Sequence, residues 1–440
     1  MRTRAGRFAR AAPISTTGDI FVQIASYRDP QLPVTLRDAI EQASDPARLH
    51  FCIAWQHGDD ERKEDVAAAV GGKGRLTLLD IPHGESRGAC WARHQLQQHY
   101  QGEAYTLQLD SHHRFVPGWD DLCVRMIEDL RADGVAKPLL TAYLPSFDPD
   151  HDPEARVQVP WHLAFDRFIP EGAVFFMPAA IPDWQARTRP MRARFYSAHF
   201  AFTLGSFARE VQHNPAFYFH GEEISLAVRA YTHGYDLFHP HCLIAWHEYT
   251  RKGRTKHWDD HATWGAANVS SHAENRRLLG MDEFADQPAA VTDAQRGPYG
   301  LGSARPLEAY ERYAGICFRR RAVTQAVLDR TEPGPADNSG VSYASFAASC
   351  VPRFRHCIDV ALPRVPLDDY DSWLVVFKDA AGEDLFRQDA DAEEIARMKA
   401  DPDGYCKVWR SFDTDVQPRS WLVWPHSAAH GWCPPLHGTL

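Results

Sequence analysis

No run of this 440-residue sequence approaches the 18 or so apolar residues that a membrane span needs, and the basic stretch from Met1 to Arg10 leads into no apolar segment of the signal-peptide kind. No membrane span is expected, and residues 1–17 read as a disordered leader. Cysteine is sparse and unpatterned: nine residues, odd in number, with no Cys-x-x-Cys pair. That excludes a disulfide framework and a thiolate zinc pair, and it reads as reduced thiols in a cytoplasmic protein. Positive charge is not in excess either. Lys and Arg number 48 against 58 Asp and Glu, a net charge of −10, which argues against a partner bound through nucleic-acid phosphates. Internal repeats and long low-complexity segments are also missing.

What is present is material for a large interior, with 44% hydrophobic and 12% aromatic residues. At roughly 100–200 residues per domain the length implies two or three domains. Apolar runs at Ile20–Ala25, Phe51–Trp55, Leu76–Ile81, Tyr105–Leu109, Pro138–Tyr143 and Ala198–Thr203 read as strands. Between them, Leu32–Gln42, Cys90–Tyr100 and Trp119–Leu130 carry helical spacing. The alternation predicts a wound parallel α/β sheet. Pro145–Pro160 is too rich in Pro, Asp and His for a regular element, and Thr331–Ser339 reads as a linker. Strand-like stretches at Cys357–Leu362, Trp373–Phe377 and Trp421–Trp424 then predict a β-rich accessory domain of sandwich type. The expected domains are a catalytic unit over 18–330, a linker over 331–343 and the β-rich unit over 344–440.

Chemistry concentrates at strand ends. Asp110-Ser111-His112-His113 follows the strand ending at Leu109, and ligands of open α/β sheets collect outside the carboxyl ends of strands. A carboxylate and an imidazole two residues apart suit one divalent cation, Mn²⁺ or Mg²⁺, with phosphate oxygens completing the shell. His113 is set aside because adjacent side chains of an extended segment point to opposite faces. A second buried strand, Cys242–Trp246, delivers His247, followed by Arg251, Lys252, Arg254 and Lys256. That basic loop reads either as a solvated charge run or as a surface for a diphosphate. Glu222 and Glu223 open a helix after Gly221, as caps or as site carboxylates.

Four stretches in order carry a wider resemblance: Gln23-Ile24-Ala25-Ser26-Tyr27-Arg28-Asp29-Pro30, Arg87-Gly88-Ala89-Cys90-Trp91-Ala92-Arg93, Gln108-Leu109-Asp110-Ser111-His112-His113-Arg114-Phe115 and His220-Gly221-Glu222-Glu223. Together, over Gly18 to Arg277, they resemble the GlcNAc-transferase family, which is itself similar to the polypeptide GalNAc-transferases. The resemblance implies a GT-A fold, a Rossmann-like, mainly parallel twisted sheet flanked by helices. It also implies a UDP-sugar donor, UDP-GlcNAc first, transfer with retention, and dependence on Mn²⁺ or Mg²⁺. Asp110 and His112 would be the metal pair, with His247 as third ligand and His239 and His241 as alternatives. Ala25, Ser26, Tyr27 and Arg28 would lie near uridine, Arg87, Arg93, Asp110, Arg251 and Lys252 near the sugar diphosphate, and Glu222 and Glu223 beside the acceptor. The resemblance leaves out the C-terminal region and the loop from His151 to Pro153. The acceptor therefore stays open among protein, peptide, glycan and small molecule. Two other readings compete, a metal-dependent nucleotide-sugar hydrolase and a non-catalytic sugar-binding protein.

Overall fold

A computed structural model describes residues 18–169, 171–250, 253–281, 297–335, 340–401, 404–414 and 416–440. The stretch read as a leader, and Arg251 and Lys252, lie outside the described residues. In chain order the first strands are β1 (Ile20–Tyr27), β2 (Leu49–His57), β3 (Arg75–Pro82), β4 (Tyr105–Leu109), β5 (His113–Phe115), β6 (Pro138–Thr141), β7 (Trp161–Phe168), β8 (Val174–Ala180), β9 (Met191–Arg192), β10 (Phe200–Leu204), β11 (Asp236–His239) and β12 (Ala245–His247). Helices α1 (Leu32–Gln42), α2 (Lys63–Val70), α3 (Ala89–Gln97), α4 (Trp119–Ala132), α5 (Phe207–Glu210), α6 (Glu222–Thr232), α7 (His257–Asp260) and α8 (Trp264–Leu278) lie between and after them.

Eight strands form the central sheet in the order β3-β2-β1-β4-β10-β6-β11-β9. The chain winds outward from β1 to β3, then returns to place β4 on the free side of β1, in parallel. A crevice opens where the winding reverses, between the carboxyl ends of β1 and β4. Both faces of β1 are covered, which is why both carry apolar residues and its mid-strand Gln23 is buried with its amide on Thr106 Oγ1 at 2.8 Å. Val22 and Ile24 pack with Leu32, Leu36 and Ile40 of α1, while Phe21 faces Ala92 and Leu96 of α3. Each such buried leucine contributes about 1.5–3 kcal/mol of burial, and this core fixes the ends of β1 and β4.

The α/β arrangement expected from the sequence, a twisted sheet flanked by helices with further β-rich sheets toward the C-terminus, is present, with several differences. The sheet is mostly rather than wholly parallel, because β10 runs antiparallel to both β4 and β6, and β9 antiparallel to β11. The strand expected over Cys242–Trp246 is the shorter β12, which pairs with β5 in a separate two-stranded ladder outside the main sheet. The helix after β3 stops at Gln97, short of Tyr100. Hairpin β7–β8 was not foreseen at all, although Trp161, Leu163 and Phe165 alternate ahead of a Glu171-Gly172 turn. Pro145–Pro160 holds no regular element beyond one 3-10 turn, Pro149–His151.

Toward the C-terminus come β13 (Ile316–Cys317), β14 (Ala322–Val323), β15 (Val351–Ala361), β16 (Tyr370–Lys378), β17 (Asp384–Arg387), β18 (Ala390–Asp391), β19 (Tyr405–Asp413), β20 (Ser420–Ser427), β21 (Gly431–Trp432) and β22 (Leu436–Thr439). One sheet runs β13-β14-β15-β19, so a ladder joins strands on either side of Thr331–Ser339. The other is centred on β16 and β20. Their facing sides share a core, in which Ile358, Val360 and Val408 meet Trp373, Val375 and Val423. This is the sandwich-type packing that the alternating C-terminal stretches imply.

Candidate functional site

Asp110 leaves the end of β4, between β1 and β10, and so projects into the crevice at the switch point. Two residues on, His112 precedes β5, and the β5–β12 ladder sets His113 opposite His247. Backbone bonds from His247 to the Pro145 carbonyl (2.9 Å) and from Glu248 to the His112 carbonyl (3.1 Å) lock the second strand end against the first. As a result one ligand atom each from Asp110, His112 and His247 lie within 4.8 Å of one another. His247 Nε2 is 3.5 Å and His112 Nε2 3.9 Å from Asp110 Oδ2.

These atoms fit a divalent cation. His247 is buried, yet neither ring nitrogen has a hydrogen-bond partner, an expense that a metal ligand would not carry. His112 shares its Nδ1 proton with Asp29 Oδ2 at 2.7 Å, which leaves the Nε2 lone pair facing Asp110. Burial works against the charge on Asp29, but the His112, Arg254 and Ser111 contacts bring its pKa down to about 2. Burial also opposes ionisation of Asp110, and the His247 ring and the Arg93 guanidinium outweigh it, holding the carboxyl well below the usual range. One carboxylate oxygen and two imidazoles are a donor set for Mn²⁺ or Mg²⁺ with positions left open.

Behind the triad, Arg93 is a buried fork. Its Nη1 donates to both oxygens of Glu222 at 2.7 and 2.8 Å, and its Nη2 to Asp110 Oδ1 at 2.7 Å. Glu222 also meets His213 Nδ1 at 2.8 Å, and against burial the Arg93 guanidinium first, and His213 after it, bring its carboxyl down to about 2. Cys90, His213 and Glu222 are close enough to form a second ligand group. Burial pushes the Cys90 thiol well up, and neither Cys90 nor His213 lines either of the cavities that border Asp110, so this group is closed to a ligand carrying phosphate. Glu223, one residue further along α6, faces the other way. It accepts from the Ala198 N–H and the Tyr143 hydroxyl, each at 2.9 Å. Burial outweighs these two donors, and with Glu222 alongside the Glu223 pKa rises to about 7.

Two cavities meet at Arg93, Asp110, Phe219, His247 and Tyr249. One, of about 420 Å³, lies beyond the carboxyl end of β1 and is lined by Ala25, Tyr27, Gln56, Tyr218, Lys256 and His257. Gly88 belongs to its wall at φ 103°, and a Cβ there would sit 3.0 Å from the Tyr218 ring. The other, of about 580 Å³, has aromatic walls from Trp161, Phe175, Phe176 and Tyr249, with Glu222, Glu223 and His199 among its polar groups.

The expected residues are thus placed unevenly. Asp110, His112, His247, Arg93, Ala25, Tyr27, Glu222 and Glu223 all border one or both cavities. Ser26 is fully buried with no partner for its hydroxyl, and it lines neither cavity. Arg28 turns aside to Asp260 at 3.0 Å, and Arg87 is exposed over Trp91. His239 ends the far strand β11 and gives its Nδ1 to the Thr141 carbonyl, and His241 stands near Arg187, Arg189 and Asp129. Neither belongs to the Asp110 group. His113 is outside that group as well, but not because it points away: its ring is nearly parallel to that of His112, 6.1 Å off. Its Nδ1 is committed to the Asp110 carbonyl. Sequence reasoning missed Asp29 as the partner of His112, naming it within the first family-like stretch without a role at the site. It also missed His199, stacked on His247 at 4.2 Å, and the aromatic wall of β7–β8.

A family model described as Glycosyltransferase (GlcNAc) matches residues 19–74 and 59–320. The chain belongs to this glycosyltransferase family. No curated protein sequence matches it significantly. Among solved structures it is similar to GalNAc-T7 with UDP, GalNAc and Mn²⁺, at 10% identity over 95% of this chain and 68% of that one, with a TM-score of 0.49. A mannosyltransferase from Pyrobaculum calidifontis with GDP-Man and Mn²⁺ follows, at 13% identity over 75% and 79% of the two chains, with a TM-score of 0.38. For S. aureus TarS 1-349 with UDP the values are 9%, 59%, 69% and 0.33. Among the described residues no helix is long and apolar enough to cross a membrane.

Proposed function

We propose that this glycosyltransferase moves GlcNAc from UDP-GlcNAc to a hydroxyl acceptor with retention, using a divalent cation held by Asp110, His112 and His247. The observation that carries this reading is the position of those three residues where the two cavities join. The cavity beyond β1 suits the nucleotide, with Tyr27, Tyr218 and His257 offering ring faces for a base and Arg254 and Lys256 supplying positive charge on its wall. The aromatic cavity suits an acceptor whose hydroxyl is carried on an apolar body. A bound Mn²⁺ or Mg²⁺ would neutralise charge on the departing diphosphate.

The chain's own residues orient the reactants. Arg93 fixes Asp110 and Glu222 in one geometry, and Glu223 stands where it can hold the acceptor hydroxyl. The anomeric C–O bond to UDP breaks, a C–O bond to the acceptor forms on the same face, and the acceptor proton passes to the departing phosphate oxygen. On this reading Glu222 and Glu223 position the reactants rather than act as bases. The unit boundaries 18–330, 331–343 and 344–440 and a cytoplasmic location belong to the same proposal. Nine cysteines without a disulfide support the location.

The test is calorimetry of UDP binding with Mn²⁺, followed by a panel of UDP, GDP and TDP sugars with mass spectrometry of candidate acceptors. Asp110→Ala is expected to lose Mn²⁺-dependent UDP binding together with both slow donor hydrolysis and transfer. Undiminished Mn²⁺-dependent binding in that variant sinks the metal assignment. Turnover that yields only free sugar, whatever acceptor is offered, points to a hydrolase, and binding without turnover to a sugar-binding protein.

A further inference from the structure

The wall that β7 and β8 give to the aromatic cavity is also the surface on which the C-terminal sheets rest. Trp161, Val174, Phe175 and Phe176 of this hairpin line the cavity, and β7 packs against β15. In the hairpin ladder Phe165 pairs with Phe176 and Arg167 with Phe175, so Asp166 is an extra residue with no partner across the strands. A bulge of this kind re-aims a side chain and is found next to active sites. The freed Asp166 accepts from Arg167 and, across the junction, from Arg355 of β15. Arg167 then lies between two rings, 4.7 Å from the Phe175 centroid and 4.9 Å from that of Trp409 on β19. Arg355 stands 5.0 Å from the same Trp409 ring. The cavity wall is therefore joined to the C-terminal sheets through Phe175, Arg167, Trp409, Arg355 and Asp166, by ion pairs and cation–π contacts.

We propose that these residues form a clamp through which the C-terminal sheets fix the β7–β8 hairpin and so set the shape of the acceptor wall. Arg167, Arg355 and Trp409 are positioning residues, acting through Phe175. The link to acceptor binding rests on the aromatic cavity being the acceptor's; the clamp itself does not.

Trp409 is 39% exposed, so its truncation spares the core. In the full-length protein, Trp409→Ala is expected to speed hydrogen exchange across residues 161–180 about tenfold while β1 and β4 keep their protection. It should also raise slow UDP-GlcNAc hydrolysis about threefold, because a loosened wall admits water as acceptor, and leave KM for UDP-GlcNAc within twofold. Trp409→Phe, which retains a ring face for both guanidinium groups, should return exchange and hydrolysis to near wild type, whereas Arg355→Met should loosen the hairpin again. Unchanged exchange over 161–180 in Trp409→Ala, protection lost equally from β1 and β4, or no rescue by Trp409→Phe would overturn the clamp. If the wild-type protein neither binds nor hydrolyses UDP-GlcNAc, the donor assignment fails, while hairpin exchange still decides the clamp.

Discussion

Replacing Arg93 by Met removes the guanidinium but keeps most of the side-chain volume, leaving Glu222 buried without its cation. In the wild-type protein the Glu222 carboxyl lies at about 2 rather than its ordinary 4.5. That difference, at about 1.4 kcal/mol per pH unit, is worth about 3 kcal/mol, and breaking a buried pair by deleting one member costs about 3–5 kcal/mol. The two figures agree on a large effect. The sign with pH follows from linkage. The wild-type contribution is fully present above 4.5 and is lost as pH falls toward 2. In Arg93→Met burial is no longer offset, the folded-state pKa rises above 4.5, and stability falls as pH rises. The deficit of the variant should therefore be wider at pH 7.5 than at pH 5. Urea unfolding followed by tryptophan fluorescence at both pH values, with EDTA present to exclude metal effects, measures it. The double variant Arg93→Met with Glu222→Gln should recover most of the loss, since no charge is left stranded. A single variant within about 1 kcal/mol of wild type at pH 7.5 would refute the reasoning. So would a double variant as unstable as the single one, which would assign the cost to packing.

Asp29→Ala should weaken Mn²⁺ binding about 10–100-fold, as loss of a histidine's carboxylate partner generally does. Calorimetry with Mn²⁺ alone checks it, and unchanged affinity would mean that His112 needs no orienting group. Glu223→Gln should become more favourable relative to wild type between pH 5 and pH 8, by about 1–3 kcal/mol. The reason is that a carboxyl raised to about 7 loses stability as pH climbs from 4.5 through 7. Thermal unfolding across that range tests it, and parallel pH curves for the two proteins would count against the raised pKa.

How much of this was legible in the sequence depends on how local the signal is. The alternating faces of β1 and the spacing of α1 are short-range patterns, and both elements appear where the sequence puts them. Asp110 could be found because it ends an apolar run. Asp29 could not, since its partner His112 is 83 residues away and an Asp-Pro pair looks like any turn. The direction of β10 is equally silent in sequence, because a strand buried on both faces has the same composition whichever way it runs. Arg93 was singled out for a diphosphate, yet the two carboxylates that surround it come from β4 and α6. Only the packed fold shows that the charge is already matched.

The assembly of the triad from distant segments also bears on synthesis of the chain. Asp110 and His112 emerge with the first half of the sheet, but His247 is translated 135 residues later, roughly 7–27 s at about 5–20 residues per second. Until Phe200–Leu204 is made the slot on the far side of β4 has no strand to fill it, and the β5–β12 ladder cannot form until the end of the interval. A nascent chain therefore offers a cation two ligands and no enclosure. On the proposed reading, a cation would be loaded by the finished domain, after release of its last strands from the ribosome, and its occupancy would follow the metal concentration the folded protein meets rather than conditions during its synthesis.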